Sequence, residues 1–200
     1  MKIGRVMFLA LLAVGGVDCQ SDRAEPAPQT ATTAPAAQQQ QNDPQPAAAQ
    51  QTFEDKKLGI RFKYPQSWQP EKAQTAAFDV AAPADNKGYS SLSLDVPHLP
   101  PHIPGMITPR MVTDGYVDDL RKHEIHDAKV DEAVDLKCAG APARRVKCSG
   151  HENGKAITDV AVAIIHNDRV YIFSCDGDPD GYNAARAALD AAVASIEWIK

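Results

Sequence analysis

Three stretches in the C-terminal half decide the fold: Ala143-Arg-Arg-Val-Lys-Cys-Ser149, Ala156-Ile-Thr-Asp-Val-Ala-Val-Ala-Ile-Ile165 and Arg169-Val-Tyr-Ile-Phe-Ser-Cys175. Each carries branched or aromatic residues in alternation, the pattern of a β-strand. Asn153-Gly154 separates the first two, and Asn167-Asp168 the last two. Both dipeptides tolerate the positive φ angles of a tight hairpin turn, so the region reads as an antiparallel meander. In the middle strand Val160, Val162 and Ile164 share one face, and Ala161, Ala163 and Ile165 the other. A strand apolar on both faces is expected to be covered on both.

Working outward, Asp178 is placed to cap a helix with Pro179 at its first position, running to about Ser195, with Leu189, Val193 and several alanines on its packing face. Ile196, Trp198 and Ile199 then form a short closing strand. Upstream, Gly59 to Tyr64 alternates Ile60, Phe62 and Tyr64 against Arg61 and Lys63, and Pro65 ends the strand. Strands are also expected over Ala77–Ala81 and Ser90–Val96, followed by a loop holding Pro97, Pro100, Pro101, Pro104 and Pro109. The spacing of Val112, Tyr116 and Leu120 predicts a helix over 110–123, which Gly115 weakens by about 1 kcal/mol relative to alanine. The element order is that of an α+β domain over 52–200.

The preceding 51 residues have another character. Lys2 and Arg5 precede the apolar run Val6–Val14, with Gly15 and Gly16 after it, the layout of a signal peptide over 1–18. Cys19 follows and resembles the cysteine of a bacterial lipoprotein signal, which is lipidated and becomes the first mature residue. The departure is at Gly16, Val17 and Asp18, where lipoprotein signals favour leucine and then small residues. Cleavage after Gly15, giving a soluble exported chain, is the alternative. Residues 19–51 form an Ala/Gln/Pro linker: 20–51 contain no aromatic residue and no Val, Leu, Ile or Met. Such a segment has too little apolar surface to offset its ordering entropy and is expected to be a disordered tether. The chain is thus expected to sit in the bacterial cell envelope, held to a membrane and facing the periplasm.

The folded part resembles the Mog1/PsbP-like fold family, including DcrB-type bacterial envelope lipoproteins. The residues that carry the resemblance are Gly59-Ile-Arg-Phe62 with Tyr64-Pro65 and Trp68, Gly140 with Pro142-Ala143, Tyr171, and Ser195-Ile196 with Trp198. The resemblance implies an antiparallel β-sheet with helices on both faces, binding or assembly roles, and no shared catalytic residue. Tyr64, Trp68 and Tyr171 read as core.

Motifs for chemistry are sparse. Asp176-Gly-Asp178-Pro-Asp180-Gly181 resembles the first half of a calcium loop, but position twelve is Ala187 instead of a bidentate glutamate. Asp176, Asp178 and Asp180 also suit the start of a helix, where carboxylates meet the positive end of the dipole. His98 with His102 and His123 with His126 form two close pairs without zinc-site spacing, while His151 and His166 fall at hairpin ends. Cys138, Cys148 and Cys175 allow one internal bridge in an oxidising compartment, with Cys138–Cys148 the first candidate. Arg144, Arg145 and Lys147 alternate between strand faces. No Walker loop, dinucleotide fingerprint, nucleophile elbow or HExxH motif occurs. The net charge of −5 gives no basic footprint for nucleic acid. The reading is a non-enzymatic, membrane-tethered binding or assembly module with an unidentified envelope protein partner and no cofactor. The loop over 97–109 is its expected partner contact. The alternative is an exported calcium- or zinc-binding protein, with hydrolase chemistry as one form of it.

Overall fold

The computed structural model describes residues 49–71, 76–83, 88–98 and 105–200. The leader, Cys19 and residues 20–48 of the linker therefore lie outside the described residues. The elements run β1 (Gln50–Asp55), β2 (Ile60–Pro65), β3 (Gln69–Pro70), β4 (Phe78–Ala81), β5 (Ser90–Asp95), α1 (Pro109–His123), β6 (Lys129–Cys138), β7 (Ala141–Glu152), β8 (Lys155–His166), β9 (Arg169–Gly177), α2 (Tyr182–Ala194) and β10 (Glu197–Trp198). Gln50 and Gln51, assigned to the linker by composition, are strand residues.

A seven-stranded antiparallel sheet has the order β3-β4-β5-β9-β8-β7-β6, and a second sheet has the order β1-β2-β10. The meander is closed by three two-residue turns with positive φ at both positions: Ala139-Gly140, Asn153-Gly154 and Asn167-Asp168. That geometry matches the right-handed twist of the strands it joins. Helix α1 starts where Thr108 accepts a hydrogen bond from the Met111 amide at 3.2 Å, with Pro109 at the first helical position. Arg121, Lys122 and His123 in its last turn complement the negative end of its dipole.

The large sheet has a core on each face, as the doubly apolar pattern of β8 required. On one face Val112, Tyr116, Val117 and Leu120 of α1 pack on Val146, Cys148, Ala161, Ala163 and Ile172. On the other, α2 and the small sheet cover Leu92, Leu94, Val160, Val162, Ile164 and Phe173. Phe62 of β2 joins the two sheets: its ring centroid lies 5.1 Å from Phe78 and 5.0 Å from Phe173, both edge-on. Tyr171 and Trp68 are buried, as expected. Tyr171 also donates its hydroxyl to the Leu58 carbonyl at 2.7 Å.

Two expectations are corrected. Asp178 is not the helix cap; α2 begins three residues later than Pro179, with Gly181 at the N-cap position. The bridge between Cys138 and Cys148 is not formed, and all three described cysteines are free and buried. Cys138 pairs with Ala141 beside the turn, whereas Cys148 lies seven residues further along β7. That spacing is roughly 24 Å of strand, against the 7 Å or so a disulfide spans between Cα atoms. The two thiols also belong to different cores.

Candidate functional site

The face of the large sheet beneath α1 carries a concentration of polar residues in an otherwise apolar layer. Strand pairing brings Ser91, Asp176, Asp159 and Cys148 into one row across β5, β9, β8 and β7. Ser93, Ser174 and Ala161 form the adjacent row. Asp159 is 1% exposed and Asp176 7%. Burial of a carboxylate is costly without hydrogen-bond donors, and hydroxyls supply them. Tyr116, reaching down from α1, donates its hydroxyl to the Asp159 carboxylate, 3.0 Å from each oxygen. Ser91 Oγ donates to Asp176 Oδ1, and Ser93 Oγ and Ser174 Oγ lie 2.8 Å apart.

The array ties α1 to the sheet through its chemistry as well as through packing. Tyr116→Phe keeps the ring and removes one donor from a buried carboxylate. The expected loss is about 1–3 kcal/mol, read from urea unfolding. A loss below about 0.5 kcal/mol would show that other groups alone satisfy Asp159.

Cysteine chemistry is not favoured here. Burial, reinforced by the neighbouring Asp159 charge, pushes the Cys148 thiol up to about 12. Burial raises Cys138 to about 11 and Cys175 well above the usual thiol range. A thiolate nucleophile needs the opposite shift.

The three aspartates read as a calcium half-loop are engaged separately. Asp176 faces α1 and accepts from Ser91. Asp178 accepts from the Tyr89 amide at 3.0 Å and the Gly181 amide at 2.8 Å. Those backbone donors hold its carboxyl below the usual carboxylate range. Asp180 is exposed. Among the described residues no three His, Cys, Asp or Glu side chains are grouped to hold a metal ion.

The histidines are also dispersed. His123 lies 3.6 Å from Asp119, and His126 Nδ1 is 2.8 Å from the Arg121 carbonyl. His151 Nδ1 is 2.8 Å from Asp127 Oδ2. His166 stacks on Trp198 at 4.0 Å with the rings nearly parallel, and partial burial lowers its pKa. His102 and the loop residues 99–104 lie outside the described residues. Arg144 and Arg145 alternate between faces as expected, pairing with Asp135 and Glu132 at 2.6 Å each.

Two depressions are formed by the described residues. One, about 220 Å³, runs between α1 and the outer strands of the sheet, with walls from Val117, Val130, Ala133 and Val146 and a charged rim from Asp114 and Arg121. The other, about 360 Å³, lies on the small sheet beside Thr52, Lys63 and Ser195, where Arg61 is held by Glu54 at 3.0 Å and Glu197 at 3.2 Å. The first combines apolar walls with a polar rim, the composition of a protein-contact groove. Sequence reasoning missed Asp159 and this groove. A lone carboxylate inside the apolar run Ile157–Ile165 was the available signal for Asp159.

No known family model matches the chain, and no curated protein does. Solved structures do resemble it. Cyanobacterial PsbP (CyanoP) from Synechocystis sp. PCC 6803 is 16% identical over 76% of this chain and 93% of that one, with a TM-score of 0.56. LpqN of Mycobacterium tuberculosis, described as involved in cell envelope biogenesis, is 15% identical over 80% of this chain and 88% of that one, with a TM-score of 0.51. A protein from Bacteroides thetaiotaomicron is 15% identical over 74% of this chain and 48% of its own, with a TM-score of 0.50. At these identities the likeness is one of fold. The domain has an α+β, Mog1/PsbP-like architecture, an antiparallel sheet with a helix on each face, distantly related in structure to these proteins.

Proposed function

We propose that the chain is a non-enzymatic binding or assembly module of the bacterial cell envelope, a lipoprotein of the DcrB type anchored through Cys19 and facing the periplasm. The observation that carries this reading is the order of three segments. A basic and apolar leader ends at a cysteine, an Ala/Gln/Pro stretch follows, and then comes a domain with a fold that LpqN also has. Its buried thiols and separately engaged carboxylates favour binding over catalysis. The groove between α1 and β7 is the partner contact that the described surface supports best, and the loop over 97–109 is a second.

Intact-mass analysis of the membrane fraction tests the anchor. The wild-type chain is expected to begin at Cys19 and to carry acyl chains, since a single chain holds a protein only marginally. Cys19→Ser is expected to move the protein out of the membrane fraction. An unmodified wild-type polypeptide beginning at Gly16 would overturn the anchor and leave soluble export.

A further inference from the structure

Sulfur is divided between the inside and the outside of the domain. Met1 and Met7 fall in the segment read as the leader, so Met106 and Met111 are the domain's only methionines. Methionine ordinarily fills gaps in a core. Here both stand open to solvent, Met106 at 70% and Met111 at 51%, the highest exposures among the described large apolar residues. Neither belongs to the core on either face of the large sheet. Cys138, Cys148 and Cys175 have the opposite placement, at 4%, 0% and 0% exposure.

We propose that Met106 and Met111 are the protein's oxidation site, where hydrogen peroxide converts both thioethers to sulfoxides while the three domain cysteines stay reduced. The sulfur lone pair attacks one peroxide oxygen, and an S–O bond forms as the O–O bond breaks. The hydroxide that leaves takes the proton of the transferred oxygen and departs as water. Each thioether loses an electron pair, and the peroxide gains it. A polar sulfoxide then replaces an apolar side chain, a change that methionine sulfoxide reductases reverse.

The fold inverts the usual order of reactivity, in which a thiolate is the stronger sulfur nucleophile. Susceptibility to oxidation follows access and thiolate character, and burial removes both from the cysteines. It pushes Cys138 up to about 11, Cys148 up to about 12 and Cys175 well above the usual thiol range. A thioether needs no deprotonation and is limited by access alone. The two methionines also bracket the start of α1. The Met111 amide donates to Thr108 Oγ1 at 3.2 Å, a backbone bond that oxidation of the side chain leaves in place. Met106 lies in the loop over 97–109, so the change of polarity falls on the second proposed partner contact. The chemistry goes beyond the binding reading and does not depend on it, since a soluble chain presents the same two side chains.

The test treats the full chain, in mild detergent at neutral pH, with hydrogen peroxide and follows each sulfur by peptide-mapping mass spectrometry. Met106 and Met111 are expected to take up oxygen at least about tenfold faster than Cys138, Cys148 or Cys175 reacts. Cysteine modification that keeps pace with the methionines overturns the proposal. The same treatment in urea, with unfolding verified by circular dichroism, is expected to reverse the order. An unchanged order in urea overturns the argument from burial, because the fold then does not set it. The oxidised protein is expected to melt within about 2 °C of the untreated one, as for changes at exposed positions. A larger drop overturns the site, since the sulfoxides would then be damage to a packed element.

Discussion

Phe62→Ala is expected to cost the domain about 3–5 kcal/mol of stability, the range for removing a buried aromatic ring. Phe62 is 0% exposed and makes ring contacts with Phe53, Phe78 and Phe173 at 5.0–5.1 Å. Those partners come from three strands, two of them in the other sheet. Truncation therefore opens a void where the small sheet meets the large one, at a place with little freedom to collapse. Urea unfolding followed by tryptophan fluorescence is the measurement, and both Trp68 and Trp198 report on this half of the molecule. A loss below about 1.5 kcal/mol would mean that the two sheets are held together mainly by something other than this aromatic cluster.

Gly181→Ala is expected to cost about 3 kcal/mol, the upper part of the usual range for overpacking. The φ angle at Gly181 is −89°, which any residue can adopt, so the constraint is space and not backbone conformation. An added Cβ would lie 1.9 Å from the Tyr89 carbonyl oxygen and 2.6 Å from its carbon. Both are backbone atoms and cannot rotate aside. The same junction is fixed from the other direction by Ser90 Oγ donating to the Gly181 carbonyl at 2.8 Å and by Asp178 accepting from the Tyr89 amide. Relief requires the turn before α2 to move away from the start of β5. Thermal unfolding of the variant against its parent checks this. A variant within 1 kcal/mol of the parent would show that these two segments separate freely.

The legibility of the sequence followed the locality of each signal. Helix α1 was readable because Val112, Tyr116 and Leu120 repeat at helical spacing, and β7 to β9 because Asn153-Gly154 and Asn167-Asp168 mark their turns. Strand β6 was not read, for three physical reasons. Its turn places Ala139 at a φ of 47°, in the first position where asparagine, aspartate or glycine is usual. A register shift breaks its alternation, and as an edge strand it keeps mostly exposed side chains. Strand β1 is hidden in the same way by its glutamines, with Phe53 its only large apolar residue.

The polar array shows the other limit. Ser91 and Ser93 alternate with Leu92 and Leu94, which reads locally as a face turned to water. The structure buries both serines. Alternation assigns a residue to a face, but only the path of distant chain decides what lies on that face. In sequence Asp176 is one of three neighbouring aspartates, yet in the fold it meets Ser91 and lies opposite Asp159, 85 and 17 positions away. The cysteines failed for the same reason, since closeness in sequence around a hairpin says nothing of distance along its arms.

The small sheet has a consequence in time. Its central strand, β2, is flanked by β1 at one edge and by β10 at the other. Trp198 pairs with Ile60, and the Ile199 amide donates to the Gly59 carbonyl at 3.0 Å, across almost the whole length of the domain. The hairpins from β6 to β9 close over short separations and require little loop-closure entropy. The β2 edge, by contrast, waits for Glu197 to Ile199 to leave the ribosome. A half-synthesised chain holds β2 with one side unfilled, so the small sheet is completed by β10, more than 130 positions after the strand it covers.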